Sequence, residues 1–272
     1  MAASAWTMIR RGAGAVRRHS IPSMIAALVL LGGAATGLVA NFTPVSANSN
    51  SSCGYGYGPC PPAATNGYSL VASDGGIFSF NAPFHGSTGS LQLNAPIVGM
   101  ARDQATGGYW LVASDGGIFA FDAPFHGSMG GTHLNKPIVG MAADAATGGY
   151  WLVATDGGIF SFNAPFHGST GSLVLNKPVV GMASDPATGG YWLVATDGGI
   201  FAFDAPFHGS TGSLLLNMPV VGMASDPATG GYWLAASDGG IFAFDAPFHG
   251  SMGGVRLNMP VVGIAAYVVA AT

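Results

Sequence analysis

Residues 178–213 read as short apolar runs separated by short polar turns: Pro178-Val-Val-Gly-Met-Ala183, Tyr191-Trp-Leu-Val-Ala195 and Ile200-Phe-Ala-Phe203, with a weaker fourth run at Phe207 to Ser213. Their length and their β-branched and aromatic content predict strands. The turns support this. Asp197-Gly-Gly199 supplies the positive-φ positions of a tight hairpin between the second and third runs, and Asp185-Pro-Ala-Thr-Gly-Gly190 makes a turn between the first and second. In the second run Tyr191, Leu193 and Ala195 point to one side and Trp192 and Val194 to the other, so both faces are apolar. Such a strand has to be covered on both faces, which a stack of sheets achieves and a single open sheet does not.

The pattern returns every 41 residues. Asp-Gly-Gly-Ile-Phe begins at Asp74, Asp115, Asp156, Asp197 and Asp238, with Pro-Phe-His-Gly-Ser and Pro-(Ile/Val)-Val-Gly in the same step. Four strands in about forty residues is the size of one propeller blade. The first unit begins at Tyr68 with the second strand, and a Pro-Val-Val-Gly strand is left over at Pro260–Ala266. The expected architecture is therefore an all-β, five-bladed β-propeller over residues 67–266, closed by pairing Pro260–Ala266 with Tyr68–Ser73. An open solenoid would need polar caps, and neither end of the repeat region carries one.

Composition sharpens this picture. All twelve acidic residues are Asp and there is no Glu, the usual filler of exposed helix positions, so helices are not expected. Four of the eight basic residues, Arg10, Arg11, Arg17 and Arg18, precede an apolar run from Met24 to Ala40 and a small-residue site at Val45-Ser46-Ala47. Residues 1–47 read as an export signal, with a retained membrane anchor as the alternative. Beyond it Arg102, Lys136, Lys177 and Arg256 face the twelve Asp, a balance of −8, which offers no basic stripe for nucleic acid. Residues 48–66 look like a linker whose Cys53 and Cys60 suit a small disulfide loop in an exported chain. Residues 267–272 are a tail, or the trace of a sixth unit.

Three sets of residues invite a chemical role. His85, His126, His167, His208 and His249 would form a ring of imidazoles if they faced a central channel, but hydrogen bonding within each blade is the simpler expectation. Trp110, Trp151, Trp192 and Trp233, next to Tyr109, Tyr150, Tyr191 and Tyr232, could serve as sugar platforms; their mid-strand position favours packing between blades. Asp122, Asp204 and Asp245 alternate with Asn81 and Asn163 after the third strand, which points to a backbone role and not to a required charge. One Asp per first loop is too few oxygen ligands for calcium. No metal or other cofactor is expected. Catalysis needs unlike groups converging on one point, whereas near-identical units offer the same groups repeatedly, so an enzyme is not expected. The loops Ala-Thr-Gly-Gly and Gly-Ser-(Thr/Met)-Gly are the better candidates for ligand contact.

The stretch Gly190-Tyr-Trp-Leu-Val-Ala-Thr-Asp-Gly-Gly-Ile-Phe-Ala-Phe-Asp-Ala-Pro-Phe-His-Gly-Ser210 resembles repeats of exported actinobacterial proteins, some found beside cell-wall-directed domains. Those repeats commonly carry an extra Gly before the Asp-Ala-Pro stretch and a Tyr in place of His. Repeat length and an aromatic strand followed by Asp-Gly are also similar to tectonin-type and tachylectin-type propeller lectins. The resemblances imply a secreted or cell-surface, non-enzymatic binding or adhesion module that recognises cell-wall or surface glycans through repeated weak sites, with a protein-interaction scaffold or structural surface component as the alternative.

Overall fold

A computed structural model describes residues 68–266; the expected signal, the linker with its two cysteines and the tail lie outside the described residues. Among the described residues every regular element is a strand and none is a helix. The strands form five antiparallel sheets, one per repeat. Unit one has β1 (Tyr68–Val71) and β2 (Ile77–Phe80). Unit two has β3 (Ile97–Arg102), β4 (Tyr109–Ala113) and β5 (Ile118–Phe121), and unit three has β6 (Ile138–Ala143), β7 (Tyr150–Ala154) and β8 (Ile159–Phe162). Unit four has β9 (Val179–Ser184), β10 (Tyr191–Ala195) and β11 (Ile200–Phe203), and unit five has β12 (Val220–Ser225), β13 (Tyr232–Ala236) and β14 (Ile241–Phe244).

The middle strand of each complete sheet carries the core. All five residues of β4, β7 and β10 are buried, as the doubly apolar pattern requires. The apolar clusters lie between units, not within them: Trp110 and Val112 of unit two meet Ile138, Met141, Tyr150 and Leu152 of unit three, and Trp151 and Val153 meet Val179, Met182, Tyr191 and Leu193 of unit four. One face of each middle strand therefore serves the preceding unit and the other face the following one. Full burial of each large side chain stabilises the fold by roughly 1.5–3 kcal/mol, so the interfaces between units hold most of the stability.

Close approach of the first strands decides how the units stack. A methyl built on Gly140 would lie 3.8 Å from the Cα of Gly181, one on Gly181 4.0 Å from Gly222, and one on Gly222 3.7 Å from Gly263. These are ordinary contact distances, so along this row the first strands of successive units lie within van der Waals reach of one another. Each first strand also bulges beside its Gly, between Ile97 and Gly99 in unit two and between Val220 and Gly222 in unit five.

Two expectations are corrected. The fourth run, Phe207–Ser213, is not a strand. Its backbone is held by single bonds, Thr211 N–H to Gly198 O (3.1 Å) and His208 N–H to the Tyr232 hydroxyl (3.2 Å), so no ladder remains for a fourth strand to join. The expected pairing of Pro260–Ala266 with Tyr68–Ser73 is not formed either: β1 pairs only with β2, and residues 260–266 hold no strand. The segment instead continues the row of first strands, with Gly263 against Gly222 and Val261 N–H donating to Ser237 O at 2.8 Å. A contact with the adjacent unit closes a short loop, whereas joining the two ends closes a loop spanning the whole array.

Candidate functional site

The polar heart of each junction is built by Tyr and His. Tyr191 projects from β10 into unit four's predecessor, where its hydroxyl accepts from His167 N–H (3.2 Å) and donates to Gly168 O (2.6 Å). The same pair of bonds joins Tyr109 to His85 and Gly86, Tyr150 to His126 and Gly127, and Tyr232 to His208 and Gly209. The Trp of the preceding unit lies beside Tyr150, Tyr191 and Tyr232, with ring centroids 5.1 Å apart for Trp110 and Tyr150 and 5.2 Å for Trp151 and Tyr191 and for Trp192 and Tyr232; unit one has Ser69 at this position, so Tyr109 has no such partner. Burial pushes the Tyr150, Tyr191 and Tyr232 phenols above their usual range, against the lowering effect of the backbone hydrogen bonds.

Four histidine rings, His85, His126, His167 and His208, bond across the junction and not within their own unit, which corrects the sequence expectation. His85, His167 and His208 hold Asp122, Asp204 and Asp245 of the following unit through Nδ1 at 2.6–2.7 Å. Where that position is Asn163, the ring of His126 instead places Nε2 3.1 Å from Gly148 O, and the Asn163 amide donates to Thr147 O. Residues 81, 122, 163, 204 and 245 all sit at φ near +50°, the left-handed region that Asp and Asn tolerate best. The backbone role expected of these residues is thus present, and the carboxylate adds a partner that the sequence did not disclose. The Nε2 atoms of His85, His167 and His208 are buried and unbonded. His249 is exposed, and its ring lies 6.1 Å from that of Trp233.

The Asp of each first loop is spent locally. Asp185 Oδ1 accepts from Ala187 N–H (3.0 Å) and Oδ2 from the Thr188 hydroxyl (2.7 Å), and Asp103, Asp144 and Asp226 repeat this arrangement. Among the described residues no group of three or more His, Cys, Asp or Glu gathers where a metal ion would sit. These first loops border a cavity of about 380 Å³ lined in part by Gln104, Asp144, Trp151, Asp185 and Pro227.

The structure separates accessible groups from those used in packing. Trp110, Trp151 and Trp192 are fully buried with each indole N–H bonded to a proline carbonyl, so they offer no open sugar platform; Trp233 alone is half-buried. The Thr of the Gly-Ser-Thr-Gly loop is buried as well: Thr170 and Thr211 donate to the carbonyls of Asp156 and Asp197, beneath the hairpin turn. What remains exposed in every unit is the Phe of Pro-Phe-His-Gly-Ser. Phe84, Phe125, Phe166, Phe207 and Phe248 are each about 60 % exposed. The signal for this row in the sequence is an aromatic outside any complete strand yet unchanged in all five units, beside the more conspicuous His.

No protein-family model and no curated protein matches this chain. Among solved structures it is similar to Raptor of Chaetomium thermophilum (11 % identity, TM-score 0.41, covering 65 % of this chain and 17 % of that one). It is also similar to a chain of the nidogen/laminin complex (14 % identity, TM-score 0.42, covering 63 % and 70 %). A protein of unknown function from Bacteroides thetaiotaomicron is similar over 52 % of this chain and 45 % of its own, at 14 % identity and a TM-score of 0.36. The chain thus spans about a sixth of Raptor and under half of the Bacteroides protein.

Proposed function

We propose that this chain is a non-enzymatic binding module that holds a surface partner through five equivalent weak contacts, each centred on an exposed Phe. The observation that carries the reading is the row Phe84, Phe125, Phe166, Phe207 and Phe248, repeated at one step and equally exposed in every unit. An exposed phenylalanine gains little in water; five on one rigid array gain avidity when they meet a repetitive or extended partner. The His–Asp and Tyr groups that would otherwise suggest acid–base chemistry are spent on joining units, in line with a non-catalytic role. A protein partner with an apolar face is the leading class. Exposed Leu173, Val174, Leu214 and Leu215 add apolar area, and three of the four strand tryptophans that would stack on sugars lie inside the junctions. Glycan recognition at an exported chain's surface, through the same phenylalanines, is the second reading.

The test replaces Phe125, Phe166 and Phe207 by Ser, singly and together, and measures binding to washed cell walls and to an extract of surface proteins, with free sugars as competitors. Binding should fall steeply with each Phe removed while the circular dichroism spectrum stays unchanged. Competition by free sugar would favour the glycan reading. Binding indifferent to all three substitutions would remove the proposal.

A further inference from the structure

The two ends of the array present the two halves of the junction that the chain makes internally. At the first end Tyr68 is 61 % exposed, whereas its counterparts Tyr150, Tyr191 and Tyr232 are fully buried. Leu70, Phe78 and Phe80 on the same sheet are exposed too, and the counterparts of Leu70, namely Leu111, Leu152, Leu193 and Leu234, are completely covered. At the last end a cavity of about 310 Å³ is lined by Trp233, Ile241, His249, Gly250, Ile264 and Ala265. Trp233, His249 and Gly250 correspond to Trp192, His208 and Gly209, the groups that receive Tyr232 inside the chain. Among the described residues, one end therefore carries an exposed tyrosine stacked on Phe80, and the other the groups that receive a tyrosine inside the chain with no tyrosine between them.

The backbone is complementary in the same way. β1 lacks the first strand that flanks every other middle strand, and residues 260–266 are a first-strand sequence with no middle strand beside them. Transferring the register of unit five, where Gly222 faces Ala235, Met223 faces Leu234 and Ser225 faces Tyr232, sets Gly263 opposite Val71, Ile264 opposite Leu70 and Ala266 opposite Tyr68. Among the described residues of one chain neither half is filled. We propose that a second copy of this chain fills them: Tyr68 of one copy enters the Trp233–His249–Gly250 cavity of another, and residues 261–266 of the latter complete the β1–β2 sheet of the former. The contact is continuous with an interface that the chain already builds repeatedly between its own units. It is heterologous, so each dimer keeps one free end of each kind and can grow.

The experiment is sedimentation velocity on the full chain over a concentration series, with Tyr68→Ala at the exposed first end and Ala265→Arg at the exposed last end. The wild type should form concentration-dependent dimers and longer species. Each variant alone should associate more weakly by on the order of thirtyfold or more, Tyr68→Ala by losing a buried aromatic anchor and Ala265→Arg by forcing a charged side chain into the apolar contact. Mixing the two variants should restore a dimer that grows no further, because each contributes the one end the other lacks. A wild type that stays monomeric at every concentration overturns the proposal, including the case where amide exchange shows Tyr68–Val71 protected by closure within one copy. Association unaffected by either substitution overturns it equally. Neither variant alters a residue of the Phe row, so the outcome is independent of the surface-binding reading.

Discussion

The Tyr191 hydroxyl sits between His167 N–H and Gly168 O of the preceding unit, accepting from the first and donating to the second. This one atom takes the place of a strand in that segment, because it satisfies two backbone groups that a fourth strand would otherwise have paired. Tyr191→Phe leaves both groups buried without that partner. We expect a loss of about 1–3 kcal/mol in urea unfolding, with the fold retained.

The raised phenols give alkaline stability a definite sign. Burial holds Tyr150, Tyr191 and Tyr232 protonated in the folded chain at pH values where the unfolded chain ionises. Their contribution is fully present below the ordinary phenol range near 10, and is lost as pH rises from there through the folded values. Absorbance of phenolate should thus rise together with loss of β-sheet signal in an alkaline titration. Ionisation of these three tyrosines well before unfolding would contradict this.

Two glycines in one unit should respond very unequally to the same change. A methyl on Gly181 meets Val194 Cγ1 at 3.8 Å and Gly222 Cα at 4.0 Å, ordinary contact distances, so Gly181→Ala should cost less than about 1 kcal/mol. A methyl on Gly190 would collide with the backbone carbonyls of Phe203 and Asp204, which cannot move without disrupting β11. Gly190→Ala should cost more than about 3 kcal/mol or prevent folding, as thermal melts of the two variants would show.

Asn163→Asp tests the coupling of His and Asp across junctions. The His126 ring should turn to place Nδ1 on the new carboxylate, as His85, His167 and His208 do, and nitrogen chemical shifts of the ring should report the change. Stability should move by no more than about 1 kcal/mol, since the matching carboxylates are largely exposed and the Asn163 bond to Thr147 O is given up. A His126 ring that keeps its bond to Gly148 O would show that the residue at 163 does not set its orientation.

Contacts between units join neighbours in sequence, β3 with β6, β6 with β9 and β9 with β12. Removing residues 177–217, one whole step of the repeat, should leave a folded array of lower stability, because each junction is rebuilt from equivalent residues. A chain that fails to fold after this deletion would point to an architecture that needs all five units at once.

Three strands of each complete unit, their hairpin turns and their face-to-face covering were legible in the pattern of residues. Asp-Gly-Gly can only turn tightly, and a run such as Tyr191 to Ala195, apolar on both sides, has to be covered on both. The mid-strand position of Trp and Tyr pointed to packing between units, and there Trp151 and Tyr191 meet at 5.2 Å. Tertiary structure decided three other matters. It gave the fourth run's hydrogen bonds to a neighbouring tyrosine, and it turned the His–Asp pairs across the junctions at a sequence separation of 37 residues, which a pattern repeated every 41 hides. Among the described residues it also paired Tyr68–Val71 with Ile77–Phe80 alone and not with the last first-strand segment. A repeat fixes what each unit offers its neighbours, but whether the last unit meets the first depends on how small rotations add up along the array, and no single unit carries that sum.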